Sequence, residues 1–269
     1  MALFLVVGCK SGDAPEEKAS EAAAAEEATP AKPASEAKPA ETAPKKPTGV
    51  GLPDDLPNGL LLAYSQFQVV DGKATAKPGP ARLDILTREG GEWKTETVED
   101  AQSNVFHKAM ILTPRGQAPG ILTLGGSGAY VKLWRRDKGA LQASTLWHAE
   151  FGGKFNRMRD AEVADLYGDG TPAIAVATHD QGVVAVLRQR VNKWKTERID
   201  QKADTFVHEI EVGDLDKDGT LEVYATPSEP NKLDAEAQHG EVVRYVPKDK
   251  KGPSIVADLG KRHAKEIYV

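Results

Sequence analysis

Cysteine is nearly absent: Cys9 is the only one in 269 residues. A disulfide framework is therefore excluded, and any staple beyond a hydrophobic core has to be a bound ion. Aromatic residues make up only 6% of the chain and the formal net charge is −5. With no basic stripe and no aromatic platform on a basic groove, nucleic acid is not an expected partner. Long apolar runs are missing too; the most apolar stretch, residues 3–9, is far too short to span a bilayer. No phosphate-binding glycine loop, nucleophile elbow or His-x-x-x-His zinc helix is present. Gly125-Gly126-Ser127-Gly128 comes nearest, and its position between two strand-like runs favours a plain turn.

What is present is acidic and periodic. In Asp214-Leu215-Asp216-Lys217-Asp218-Gly219-Thr220-Leu221-Glu222 the carboxylates stand at positions 1, 3, 5 and 9, with glycine at 6. Alternate positions on a tight loop aim their oxygens at one point, where acids repel unless a hard cation lies between them. Calcium is the expected cofactor; a solvated acidic turn without metal is the competing reading. An EF-hand would need flanking helices and a glutamate at position 12, but Ala225 stands there, in a segment that alternates as a strand. A weaker copy, Asp165-Leu166-Tyr167-Gly168-Asp169-Gly170-Thr171, lies 49 residues upstream.

Other landmarks keep this spacing. Trp93-Lys94-Thr95-Glu96 and Trp194-Lys195-Thr196-Glu197 are 101 residues apart, about two periods. Alternating segments recur at 82–88, 129–136, 183–189 and 241–247. In the third unit, strand B is Ala173 to Ala177, C is Val183 to Leu187 and D is Trp194 to Ile199, with A before the acidic loop. Gly128, Gly182 and Gly240 recur just before C, where a left-handed turn residue is expected. A period near 50 with several short strands per unit predicts an all-β fold, a β-propeller of four-stranded blades. The domain spans 51–269, with repeats at about 59–100, 101–150, 151–200 and 201–260, and a further first strand beginning in 261–269, at Lys265-Glu266-Ile267-Tyr268-Val269. About four blades are present. Either the last strand closes a four-bladed ring, or the chain is a fragment of a larger propeller; the fragment is favoured because open arrays leave unpaired edges.

These repeats resemble the FG-GAP/VCBS family, the calcium-binding propeller blades of bacterial surface proteins and integrin α-subunit heads. The resemblance covers 59–269. It implies calcium ligands at Asp214, Asp216, Asp218, the carbonyl of Thr220, and Glu222. The earlier loop keeps Asp165, Asp169 and the carbonyl of Thr171, but Tyr167 and Ala173 replace two carboxylates, and a turn held by hydrogen bonds is expected there.

Val6-Val7-Gly8-Cys9 resembles a bacterial lipobox, implying a lipidated Cys9 and a membrane partner through that anchor. Lys10 at the next position favours the outer membrane by the same resemblance, within the bacterial cell envelope. Residues 1–9 lack the basic segment of a full signal peptide, as a truncated or misplaced start would leave them. Residues 10–50 are rich in Ala, Pro, Glu and Lys and read as a disordered stalk.

One constellation points to a ligand. His107, Arg159, Asp160, His208, Glu209, His263 and Glu266 align just before or within the start of strand A, and His179 lies in a B–C loop. In a propeller these positions ring one mouth of the central channel, opposite the acidic loops, where binding groups commonly sit. Polar contacts between adjacent blades are the plainer role. The expected function is an envelope-anchored, calcium-stabilised binding or scaffold module for an unidentified protein or glycan, with no evident catalytic site. The alternative is a carbohydrate-active enzyme, similar to propeller-type polysaccharide lyases. Lys132, Arg135 and Arg188 are expected on solvated outer faces.

Overall fold

The computed structural model describes residues 59–89, 91–152, 156–191, 193–231 and 237–269. Cys9, the lipobox and the stalk at 10–50 lie outside the described residues. The described chain is all-β and contains no helix.

Three four-stranded sheets follow one another in strictly sequential antiparallel order. The second unit is β6 (Phe106–Leu112), β7 (Gly120–Gly125), β8 (Tyr130–Asp137) and β9 (Ala140–His148). The third is β10 (Met158–Ala164), β11 (Ala173–Thr178), β12 (Val184–Arg190) and β13 (Lys193–Asp200). The fourth is β14 (Phe206–Gly213), β15 (Glu222–Glu229), β16 (His239–Val246) and β17 (Lys251–Gly260). The first unit has three strands, β1 (Gly59–Tyr64), β4 (Ala81–Glu89) and β5 (Glu92–Asp100). A separate hairpin, β2 (Phe67–Val70) and β3 (Lys73–Pro78), is inserted between β1 and β4. Asp71 and Gly72 turn it with φ of 49° and 73°, the left-handed pair that a two-residue hairpin requires.

The core lies between the sheets, and the side-chain period of two explains how. On β11, Ile174 and Val176 face the second unit, where Leu122, Leu124, Val131 and Leu133 meet them. Ala173, Ala175 and Ala177 face the other way, towards Val207, Ile210, Val223 and Ala225 of the fourth unit. β12 splits likewise, with Ala185 and Leu187 on one side and Val184 and Val186 on the other. Every residue of β11 is buried, so its near-continuous apolar run is the signature of a strand dry on both faces. A third cluster joins the first two units through Leu83, Ile85, Phe106, Ile121 and Trp134. The last strand of each four-stranded unit is the most exposed.

Three expectations change. Residues 261–269 form no strand: the segment passes Gly240 and Gly213, where an added Cβ would stand 2.1 Å from the Arg262 carbonyl and 2.3 Å from Val269, and no described strand pairs with it. Apolar alternation without a ladder partner is not enough to make a strand. Gly128 and Gly182 do have positive φ, but Gly240 does not; close approach of Arg262 is what requires glycine there. Lys132 is not solvated. It is 3% exposed, with Nζ 2.6 Å from Asp100 Oδ2 and 2.8 Å from Gln102 Oε1, and it lies over the Tyr130 ring. Pairing is what lets a charge sit inside the array.

Removing one partner of such a pair strands the other. Lys132→Ala is expected to cost about 3–5 kcal/mol in urea unfolding, and adding Asp100→Asn should recover part of that loss. A cost below about 1 kcal/mol for Lys132→Ala would contradict the buried pairing.

Candidate functional site

The antiparallel register separates two kinds of strand end. At one end lie the turns between first and second strands, such as 214–221; at the other lie the connections entering β6, β10 and β14 and the β11–β12 turn. An eight-residue strand such as β14 sets them about 25 Å apart.

At the acidic end, Asp214, Asp216 and Asp218 each offer a carboxylate oxygen, all within 4.8 Å of one another. That span is about twice a calcium–oxygen bond of roughly 2.4 Å, so the three fit around one ion. The loop shapes itself: Asp214 accepts N–H bonds from Asp218 (3.0 Å) and Gly219 (2.9 Å), and Asp218 accepts one from Thr220 (2.7 Å). Glu222 stands apart. It is fully buried, accepts from the Leu215 N–H and the Tyr224 hydroxyl (3.0 Å each), and is ion-paired to Arg244. Burial pushes its carboxyl upward, but Arg244 and these donors outweigh it and hold it below the ordinary value. Arg244 also reaches Asp216 at 2.6 Å.

The upstream loop is held by its own hydrogen bonds and by two arginines. Asp165 accepts from Asp169 (3.0 Å) and Gly170 (2.7 Å). Arg188 pairs with Asp169 and lies 3.8 Å over the Tyr167 ring, while Arg115 reaches the Asp169 carbonyl and the Thr171 hydroxyl. In the second unit, Arg135 holds the corresponding turn through Gln117 and the Ala118 carbonyl. Arg135, Arg188 and Arg244 thus occupy third strands and brace these turns, a role that the expectation of solvated outer faces for Arg135 and Arg188 does not include.

At the opposite end the structure brings together His107, Arg159, Asp160, His179, His208, Glu209 and His263. Each first strand carries a register break there: between Phe106 and Lys108, between Met158 and Asp160, and between Val207 and Ile210. The unpaired residues are His107, Arg159, and His208 with Glu209. A bulge re-aims the extra side chain out of the strand's alternation, and here neighbouring strands do so towards one another. His107 Nδ1 bonds the Met158 carbonyl of the adjacent strand. Arg159 reaches the His208 carbonyl (3.2 Å) and Nδ1 (3.1 Å). Arg157 grips Asp180 with two bonds of 3.0 Å and His179 Nδ1 at 2.8 Å. Phe206 stacks on His179 (5.2 Å), and His263 stacks on His208 (6.0 Å).

Beside these rings lies a carboxyl pair. Asp160 is 5% exposed, pairs with Lys108 (2.8 Å), accepts from the Ile210 N–H (3.0 Å) and shares a hydrogen bond with Glu209. Burial, then that bond to Asp160, raises Glu209 to about 7. Burial and the nearby guanidiniums depress His179 and His208 to about 4, and lower His107 as well. Glu266 does not join: it is exposed and makes no hydrogen bond or ion pair with described residues. His239, in the fourth unit, lies 3.6 Å from Glu241 and Asp258. Phe206 reads as core in the sequence, and nothing there marks it as the ring that stacks on His179.

Glu209 gives a signed test. Its folded value lies above its unfolded value near 4.5, so its contribution to stability is full below pH 4.5 and is lost as pH rises through about 7. The histidines act oppositely, full above pH 6.5 and lost as pH falls towards about 4, and cancel between proteins that share them. Glu209→Gln is expected to melt with the wild type at pH 5 and several degrees above it at pH 8; parallel melting curves across that range would refute the raised Glu209 value. Comparison with known proteins gives no family model, no curated protein and no solved structure that matches this chain.

Proposed function

We propose that the chain is a calcium-braced β-propeller binding module, held at the bacterial envelope by a lipid on Cys9. The propeller reading is supported by sequential four-stranded units whose cores lie between neighbouring sheets and whose first strands approach one another. The calcium reading is supported by the fit of Asp214, Asp216 and Asp218 around a single point. The binding face is the bulged end. The observation that carries it is the convergence of His107, Arg159, His208 and Glu209, each at a register break, onto one polar cluster. Three breaks at equivalent places specify a surface, where unbulged strands would suffice for a core.

A calcium site of this kind stabilises the folded chain by mass action. With calcium at about a hundred times its dissociation constant the gain is about 2.7 kcal/mol, or roughly 5–10 °C in melting temperature. That increment over excess EDTA is expected in the wild type and should vanish in Asp218→Asn, which keeps the Thr220 hydrogen bond. Equal melting in calcium and EDTA would remove the brace.

The second reading, a carbohydrate-active lyase or hydrolase, is favoured by one observation. Glu209 beside Asp160 forms a carboxyl pair with a proton that moves near neutral pH, which suits acid–base work. Under the binding reading, incubation with pectic and other polysaccharides gives no unsaturated or shortened products. Their release, abolished in Glu209→Gln, would establish the enzyme.

A further inference from the structure

The ligand class can be narrowed on the assumption that the bulged end is the binding face. A guanidinium carries only donors, so a ring nitrogen that faces one must offer its lone pair. His179 Nδ1 faces Arg157 and His208 Nδ1 faces Arg159. Each ring therefore carries its proton on Nε2. His107 is the reverse case. Its Nδ1 faces the Met158 carbonyl, which only accepts, so the proton sits on Nδ1 and Nε2 bears the lone pair. The depressed pKa values described above keep these rings neutral at pH 7. Stacking of Phe206 on His179 and of His263 on His208 fixes the ring planes before any ligand arrives.

We propose that His107, His179 and His208 form a preset array of one acceptor and two donors that takes a neutral, hydroxyl-rich saccharide. A hydroxyl donates and accepts at once, so adjacent sugar hydroxyls satisfy a mixed array. A carboxylate or sulfate fits less well. The Nε–Nη2 edge of Arg157 is spent on Asp180, and that of Arg159 on the His208 carbonyl and ring, so neither of those edges is open to an incoming anion. A metal ion would find one bare ring nitrogen in the array, that of His107.

Two measurements on the whole folded chain test this. Long-range proton–nitrogen NMR at pH 7 is expected to show Nε2–H tautomers for His179 and His208 and an Nδ1–H tautomer for His107. Calorimetric titration with neutral hexose oligosaccharides, and with uronate oligosaccharides of matched length, is expected to show binding of the neutral set. His179→Phe and His208→Phe keep a ring for stacking and lose the donor; each should weaken binding at least tenfold while melting near the wild type. His208→Gln returns a donor and should recover part of the loss. Protonated or Nδ1–H rings at His179 and His208 overturn the array. Tighter binding of uronates, or no binding of any neutral oligosaccharide, overturns the ligand class. Cleavage products in the same titration would instead overturn the binding-module function on which the inference rests, so the two failures are read separately.

Discussion

The structure depends on one constraint: sheets stack face to face, so the second and third strands of the inner units have almost no wet face. β11 shows its extreme form, with branched Ile174 and Val176 on one side and alanines on the other. The alanine side lets the fourth unit approach closely, and the branched side fills the gap to the second. Charge is then expelled to strand ends and outer edges, or accepted only in pairs, as with Lys132 and Asp100. The chemistry of the molecule therefore collects at two ends, turns braced by arginines, one of them rich in aspartate, at one and imidazoles with arginines and a carboxyl pair at the other.

The bulges connect that constraint to the site. Between two dry interfaces a regular strand can aim its side chains only into one core or the other. An unpaired residue at the strand head escapes the alternation. His107, Arg159 and His208 do so on successive first strands, and the reach from one to the next is a single side chain, as Arg159 to His208 shows. The same geometry buries Asp160 under Lys108 and Glu209, so charge in the cluster is compensated laterally, between strands, and hardly at all along them.

Much of this was legible from residues alone. β11, β12 and β13 follow from apolar alternation and from the tryptophan spacing, and the acidic loops are explicit. The histidines and acids at the strand heads were aligned by repeat spacing. What was not legible has physical causes. A bulge adds one residue and leaves composition unchanged, so no periodicity reports it. Asp71-Gly72 between Phe67-Gln68-Val69-Val70 and Lys73-Ala74-Thr75 is a hairpin signal, yet a 50-residue frame of four strands leaves no slot for it. Lys132 reads as a surface charge in the sequence because its partner, Asp100, lies 32 residues away on another sheet. Residues 265–269 copy the pattern of β14, but a strand is a property of a pair.

The third-strand arginines bear on how the acidic loops are held. Arg188 supplies the upstream turn with a fixed cation on Asp169, with the Tyr167 ring beneath it. Arg244 plays the corresponding part in the downstream turn, but its one charge is drawn to buried Glu222 and to Asp216. Asp214 and Asp218 are left with backbone N–H partners alone. A guanidinium fixed at one rim by a buried carboxylate cannot also neutralise acids across the loop. A divalent ion placed between the three aspartates would leave Arg244 on Glu222. Glu222 is thus the anchor of the arginine, and the three aspartates are the part of the loop with the geometry to hold an ion.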